Sequence, residues 1–331
     1  MPLPVYATAV VTALVPSVAT PARWAAVAFG VADVLLLALL VSRCVSVPWA
    51  AIGAPLVLLV TPSHLLFSRT ATRDGIWQLP FVLAWAIGLT ALMEPPTPRA
   101  RWTLAAGMAA LAASTYAQPT SALMMPMFGV VTLGVYLRAD GWRLRDAVPA
   151  AATFVTLLLP LLIWFARYPA TYPDTFGRWV LHPAHLRNPI EWLQAVTNWG
   201  TASTVAAVFW DFLVPSHLFF TPAAPGLCGL FLTPLAVPIG LGAYHALRSS
   251  TPQNPARRMG PAIVACCLIG PLAAAMFGHA RSDDRSLILV PFGLVVAAWG
   301  AQSLWQRGAA GRGLLVASML VAVIQAAVIL S

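Results

Sequence analysis

A short polar segment between two apolar runs carries residues that could bind a phosphate. The sequence SRTATRDG at 68–75 contains Arg69, Arg73 and Asp74, and His64 lies one helical turn earlier. Guanidinium groups hold phosphate oxygens in a fork geometry, and a carboxylate can accept a proton or ligate a metal. The alternative is structural: arginines at the membrane surface next to a helix N-cap carboxylate.

A second polar segment, GHARSDDRS at 278–286, also separates two strongly apolar runs. His279, Arg281 and Arg285 could complete a site for an anionic lipid head group. They could instead form a solvated turn with internal ion pairs to Asp283 and Asp284. The sequence favours neither interpretation.

Three more polar residues could line a sugar-binding cavity. Asp211 and His217 lie in the aromatic stretch VFWDFLVPSHLFF, and the apolar face of a sugar stacks on such rings. Tyr116 marks the tight turn STYAQPTS. The alternative is that all three are anchors or caps at the membrane interface.

Asp33 and a histidine pair carry weaker signals. Asp33 lies inside an apolar run, where an ionisable group is costly and is a functional candidate by default. No other apolar run offers a second buried acid or a basic partner for a proton relay, so structural pairing or neutral burial is the favoured interpretation. His182 and His185 have a spacing that helical metal sites use, but the intervening proline favours ordinary loop histidines.

The elements that must position these residues are membrane-spanning helices. Of 331 residues, 60% are hydrophobic and 9% are charged, and the mean hydropathy is +0.80. Apolar runs near 20 residues long exclude a soluble enzyme and a disordered chain. We predict an all-α polytopic membrane protein with about ten spans, near 22–42, 47–66, 76–93, 102–117, 119–137, 148–166, 227–247, 260–278, 286–304 and 313–331, and a long outer loop at 168–226.

The arginines predict the orientation of these spans. Every basic residue is Arg, and the net charge is +9. Alternate short loops hold eleven arginines against three acids, which identifies their side as cytoplasmic by the positive-inside rule. Because the arginines lie singly or in pairs between apolar runs, topology explains them better than nucleic-acid binding does. We therefore expect the long loop and the polar segments to lie outside the cytoplasm.

This parity places residue 1 on the outer side. The segment 2–16 has no basic residue before it, ends in proline and is too short to span, so we predict an interfacial helix over residues 1–20. We expect a further span and outer loop upstream of these residues; direct insertion of a short terminus is the alternative.

Several segments together resemble the GT-C superfamily of membrane glycosyltransferases. The stretch PLPVYATAVVTALVPSVATPARW at 2–24 is similar to the region after that superfamily's first outer loop, and TPSHLLFSRTATRDG at 61–75 is similar to its Ser-Arg-x-Ala-x-x-Asp segment. AAGMAALAASTYAQPTSALMMP is similar to a glycine-containing helix and turn, although the second glycine is alanine here. HARSDDRSLILVPF is similar to a basic loop entering a span. The branch resembled contains polyprenyl-phosphate-dependent protein mannosyltransferases and the lipid A aminoarabinose transferase.

The resemblance implies an inverting transfer of one sugar from a polyprenyl-phosphate donor to a glycan, lipid or protein acceptor on the outer face of a bacterial inner membrane. It implies that Arg69, Arg73, Arg281 and Arg285 bind the donor phosphate. Asp74 would assist as a secondary acid, and His64, Tyr116, Asp211, His217 and His279 would line the sugar and acceptor cavity.

The same resemblance leaves points open. Some relatives use a divalent metal, for which Asp74 is a possible ligand, while the superfamily's base lies in a first outer loop that these residues do not contain. The alternatives are a polyprenyl-linked lipid or sugar transporter and a non-catalytic homologue acting as a membrane subunit.

Overall fold

The computed structural model describes residues 3–17, 19–70, 74–168, 198–220, 229–248, 259–276 and 286–330. These ranges contain helices and connecting turns and no strand. The α-helices, numbered α1 to α13 in chain order, are Leu3–Leu14, Pro21–Cys44, Pro48–Val60, Pro62–Arg69, Leu79–Thr90, Pro98–Ser114, Pro119–Tyr136, Leu144–Arg167, Trp199–Leu213, Ala236–Arg248, Gly260–Met276, Leu289–Gln306 and Ala309–Leu330. Short 3-10 turns cover Asp74–Trp77, Ala91–Met93 and Thr233–Leu235, and a π-helical turn covers Ser216–Phe220.

Proline sets the start of most helices in the first half of the chain. It occupies the first or second position of α2 through α7, where its missing N–H costs nothing and its fixed φ suits a helix. Side chains cap other starts: Thr97 accepts from the Ala100 N–H, and the Asp146 carboxylate accepts from the Arg143 N–H. The sequence thus specifies helix starts locally, with little help from tertiary packing.

The predicted span 47–66 is divided in the structure. Helix α3 ends at Val60, Thr61 is extended, and α4 begins at Pro62 with a bend of 62°. A residue before proline avoids the helical region, so the Thr61-Pro62 pair breaks the helix. The Thr61 hydroxyl donates to the Val57 carbonyl at 2.7 Å and satisfies one backbone group freed by the break.

Four helices in the described ranges are long and apolar enough to cross a membrane, or five if α3 and α4 count as one bent span. They lie at Pro21–Cys44, Gly75–Met93, Leu144–Trp164 and Ala309–Val328. The chain is therefore an integral membrane protein. Each of the ten predicted spans contains a helix. However, α6, α10 and α12 are not among the helices long and apolar enough to cross a membrane, and α7 and α11 are apolar but shorter. The number of spans stays a prediction.

Helix α12 lies at the centre of the bundle. Most of its residues are buried, and it packs against α3, α10, α11 and α13. Its crossing with α10 depends on Gly242 and Gly300, where any added Cβ would collide with the facing backbone. Gly88 of α5 and Gly107 of α6 form a similar close contact. Small residues let helix backbones approach closely in membranes, so glycines fix two central crossings.

One end of the bundle gathers the arginine-rich turns. Trp299 donates to the Cys44 carbonyl, and the Ser46 N–H donates to Gln302. Arg101 forms an ion pair with buried Asp146 at 2.8 Å. The turns after α2, before α6, after α7 and after α12 therefore lie at one end, as the loop parity requires. Which side of a membrane this end faces stays a prediction.

The segment predicted as the outer loop 168–226 is not entirely a loop. Residues 199–213 form α9, which packs against α11 through Val205, Val208 and Phe212. The pattern of apolar residues in VAAVFWDF is amphipathic, which a loop assignment overlooked. Residues 169–197 and 221–226 of that prediction lie outside the described residues. In the predicted span 227–247, residues 227 and 228 also lie outside them, and the α-helix begins at Ala236.

Candidate functional site

Two ionisable side chains meet inside the bundle. His64 Nε2 of α4 lies 3.4 Å from Asp33 Oδ2 of α2. Asp33 is fully buried and His64 is 2% exposed. Among the described residues, neither carboxylate oxygen has a hydrogen-bond partner of good geometry, so the two side chains make a close polar contact rather than a short hydrogen bond. A carboxyl and an imidazole in this position can hold and share a proton.

A close helix contact next to the pair sets the position of α4. A Cβ at Gly30 would lie 2.7 Å from Ser68 Cβ and 3.7 Å from His64 Cε1. Positions 64 and 68 are one turn apart on α4, and positions 30 and 33 are one turn apart on α2, so the helices meet along matching faces. The glycine makes room for Ser68, and the approach brings His64 to Asp33. Arg69 follows directly and is exposed at the end of α4.

The other face of α4 is connected to the segment after α9. Ser63 donates from Oγ to the Leu230 carbonyl at 3.3 Å, and the Leu230 N–H donates to the His217 carbonyl at 3.3 Å. His217 is buried and makes an edge contact with Phe212, with ring centroids 6.2 Å apart. The chain therefore brings His64 and His217, two predicted site residues, to neighbouring backbone segments.

The turn between α6 and α7 forms a buried polar region beside α5. Ser121 donates to Gln78 Oε1 at 2.8 Å, and both residues are fully buried. Tyr116 donates from its hydroxyl to the Leu157 carbonyl at 2.7 Å, and its own carbonyl accepts from the Leu3 N–H. Desolvation raises the pKa of the Tyr116 phenol. Tyr116 thus joins α1, the turn and α8, and its observed contacts are structural.

Some of the remaining predicted site residues are described by the structure and others are not. Asp211 is exposed on α9. Asp74 begins the 3-10 turn that follows α4, and only its backbone is described. Arg73, His279, Arg281 and Arg285 lie outside the described residues. The structure therefore brings together His64, Arg69 and the backbone of Asp74 on consecutive elements, and the rest of the predicted phosphate site stays a prediction.

The expectation that no other span carries a basic partner for Asp33 was wrong. Its partner was present in the sequence as His64, but the two residues are 31 positions apart and on different helices. The signal that could have found the pair is the Thr61-Pro62 break, because a bend there turns the polar residues of α4 toward α2. A straight span over 47–66 hides that relation.

The described residues do not assemble a metal site. In the ranges that the structure covers, no three His, Cys, Asp or Glu side chains come close enough to hold one ion. Asp33 and His64 together offer two ligand groups, fewer than the three protein ligands that catalytic zinc sites use. The metal role suggested for Asp74 stays a prediction.

The fold is similar to that of a solved structure. The chain superposes on the archaeal oligosaccharyltransferase of Archaeoglobus fulgidus, solved in complex with an inhibitory peptide and a dolichol-phosphate, with a TM-score of 0.60 and 14% sequence identity. That enzyme has a GT-C fold. The present chain therefore has a GT-C-like fold. The likeness covers 99% of this chain and 47% of the oligosaccharyltransferase, so the chain spans about half the length of that structure.

Two other comparisons found nothing: no protein-family model matches the chain, and no curated protein matches it. At 14% identity the structural likeness establishes the fold alone, and the mannosyltransferase-type branch of the resemblance is unconfirmed.

Proposed function

We propose that the protein transfers a sugar from a polyprenyl-phosphate-linked donor to an acceptor on the extracytoplasmic face of a bacterial inner membrane, with inversion at the anomeric carbon. The observation that carries this proposal is the whole-chain likeness to an oligosaccharyltransferase whose structure contains a dolichol-phosphate. The acceptor would be a glycan, a lipid or a protein.

The proposed reaction makes defined demands on the chain. The bond between the anomeric carbon and the donor phosphate oxygen breaks, the acceptor oxygen forms the new bond from the opposite face, and the acceptor proton goes to a carboxylate. The departing lipid phosphate must be stabilised as its charge grows. We assign this stabilisation to Arg69, with Arg73, Arg281 and Arg285, and an assisting acid role to Asp74.

The buried contact with Asp33 changes the role proposed for His64. We assign His64 to positioning α4, and thereby Arg69, rather than to direct contact with the sugar. Its position supports this assignment because His64 is almost inaccessible and faces α2. Tyr116, Asp211, His217 and His279 remain the proposed residues of the sugar and acceptor cavity.

The test is turnover of polyprenyl-phosphate sugars by the protein in its native membrane and after reconstitution into liposomes. Mass spectrometry would detect released polyprenyl phosphate together with a new glycosidic bond of inverted configuration. Loss of one stabilising cation should lower turnover about a hundredfold in Arg69→Ala or Arg281→Ala, and loss of an acid or base group should lower it at least as much in Asp74→Asn. Arg138→Ala, an exposed arginine at the opposite end, is the matched control.

Unchanged turnover in all three variants would remove the site assignment. Release of polyprenyl phosphate without a new glycosidic bond would show hydrolysis instead of transfer. Absence of turnover with every donor would favour the non-catalytic membrane subunit.

A second candidate function is transport of a polyprenyl-linked lipid or sugar. The observation that favours it is the Asp33–His64 pair, because proton-coupled transporters carry such ionisable groups inside the membrane. Transport predicts movement of the labelled donor across the liposome membrane without a new glycosidic bond. The same liposomes therefore distinguish the two functions.

A further inference from the structure

We infer that an anionic phospholipid of the surrounding bilayer binds in a groove between α3, α10, α12 and α13, with one acyl chain in the groove and its head group on Arg312. The groove is a cavity of about 390 Å³. Its walls include Gly53 and Val57 of α3, Leu294 and Ala298 of α12, and residues of α13 such as Met319. Only the choice of a bilayer phospholipid over the donor lipid rests on the proposed function.

The chemistry of the groove fits a hydrocarbon chain. Its lining residues are aliphatic or small, apart from the aromatic rings of Trp49 and Trp305. A cavity without polar partners does not hold ordered water, so the groove is suited to an apolar occupant. Leu320 and Val323 line it and are 59% and 66% exposed. Since α13 is long and apolar enough to span a membrane, this exposed side faces lipid.

The groove is fastened at one end. The Thr233 N–H donates to Gln325 Oε1 at 3.0 Å, and Gln325 Nε2 donates to Thr233 Oγ1 at 3.2 Å. These two hydrogen bonds hold α13 against the turn before α10, next to the lining residues Leu235 and Val323. A chain would therefore enter from the opposite end. From Trp305 to Leu294 the lining of α12 extends for about 16 Å at 1.5 Å per residue.

The open end has the groups that a lipid head group requires. Trp49 and Trp305 form a tilted ring pair with centroids 5.5 Å apart, and the Arg312 guanidinium lies 4.9 Å from the Trp305 ring centroid. Tryptophan rings sit at head-group level in membrane proteins. Arg307, directly after α12, is also exposed, and residues 286–331 contain no acidic residue. The local charge is therefore positive, which favours an anionic head group.

The position of this end argues against the donor lipid as the occupant. Arg312 lies in the first turn of α13, at the end of the bundle where Trp299 and Gln302 contact Cys44 and Ser46. From that end the chain runs back along α2 as α3 and α4, and Arg69 is the last residue of α4. A polyprenyl chain in the groove would place its phosphate at the Arg312 end, away from Arg69. A bilayer phospholipid has no such constraint.

The test uses the full chain purified in mild detergent and native mass spectrometry with added phosphatidylglycerol or phosphatidylcholine of identical acyl chains. The wild type should retain one phosphatidylglycerol in preference to phosphatidylcholine. Gly53→Phe should abolish this binding, because a Cβ at Gly53 meets no atom within 4 Å and the ring can extend into the groove. Gly134→Phe is the matched control: it is also unobstructed, but it lies on the exposed face of α7.

The head-group contact has its own variant. Arg312→Gln should lower the preference for phosphatidylglycerol about fivefold, the usual effect of one cation near an anionic membrane surface. Retained binding in a folded Gly53→Phe variant would overturn the groove assignment, and Gly53→Leu tests it if the larger variant does not fold. Equal retention of both lipids by the wild type would overturn the head-group assignment. Preferential retention of a polyprenyl phosphate, lost in Gly53→Phe, would overturn the choice of a phospholipid.

Discussion

The Asp33–His64 pair predicts a strong energetic coupling between α2 and α4. Asp33 and His64 lie 3.4 Å apart and are almost inaccessible to water, so each gives the other a polar partner inside the bundle. Removing one member leaves the other buried without that partner, which costs about 1–3 kcal/mol. We expect Asp33→Val and His64→Leu each to destabilise the protein by about 3 kcal/mol. The double variant should lose no more than either single variant, about 3 kcal/mol, since an apolar pair leaves neither polar group unpaired.

The assay is a double-mutant cycle on the protein in detergent, with unfolding followed by the fluorescence of its tryptophans. The expected coupling energy is about 3 kcal/mol, the excess of the two single losses over the loss in the double variant. Asp211→Val, which removes an exposed carboxylate, is the control and should change stability by less than about 0.5 kcal/mol. Additive single effects, within about 0.5 kcal/mol, would refute the reasoning, because additivity is the behaviour of residues that do not interact.

Three further predictions concern other contacts of the bundle. Asp146→Ala should lower the unfolding free energy by about 3 kcal/mol, because a buried carboxylate loses both a helix cap and its ion pair with Arg101; chemical unfolding in detergent would measure it. Gly107→Leu should lower the unfolding free energy by about 3 kcal/mol, since its Cβ would lie 2.8 Å from the facing backbone of Gly88. Gly134→Leu should be nearly neutral, because its Cβ meets no atom within 4 Å, and thermal unfolding in detergent would compare the two variants. Tyr116→Phe should cost about 1 kcal/mol through one lost hydrogen bond to α8, and a loss above about 3 kcal/mol would contradict this local role.

The sequence predicts the positions of helices better than their relations to one another. The apolar runs locate α2 and α13 closely, because length and composition alone define a span. The arginine pattern also groups the turns that meet at one end of the bundle. The depth at which residues from different helices meet is not encoded in local periodicity. For this reason no basic partner was predicted for Asp33, and α9 was predicted as part of a loop.

The break at Thr61-Pro62 explains how a polar helix is accommodated inside an apolar bundle. If α3 continued straight, Ser63, His64 and Ser68 would lie along the α3 axis. The 62° bend instead lays α4 against α2, so that His64 reaches Asp33 and Ser68 fits against Gly30. Each polar group of α4 thereby gains a contact that offsets its cost of burial. Arg69, the next residue after Ser68, is exposed at the end of α4, the position from which we propose that it binds the donor phosphate.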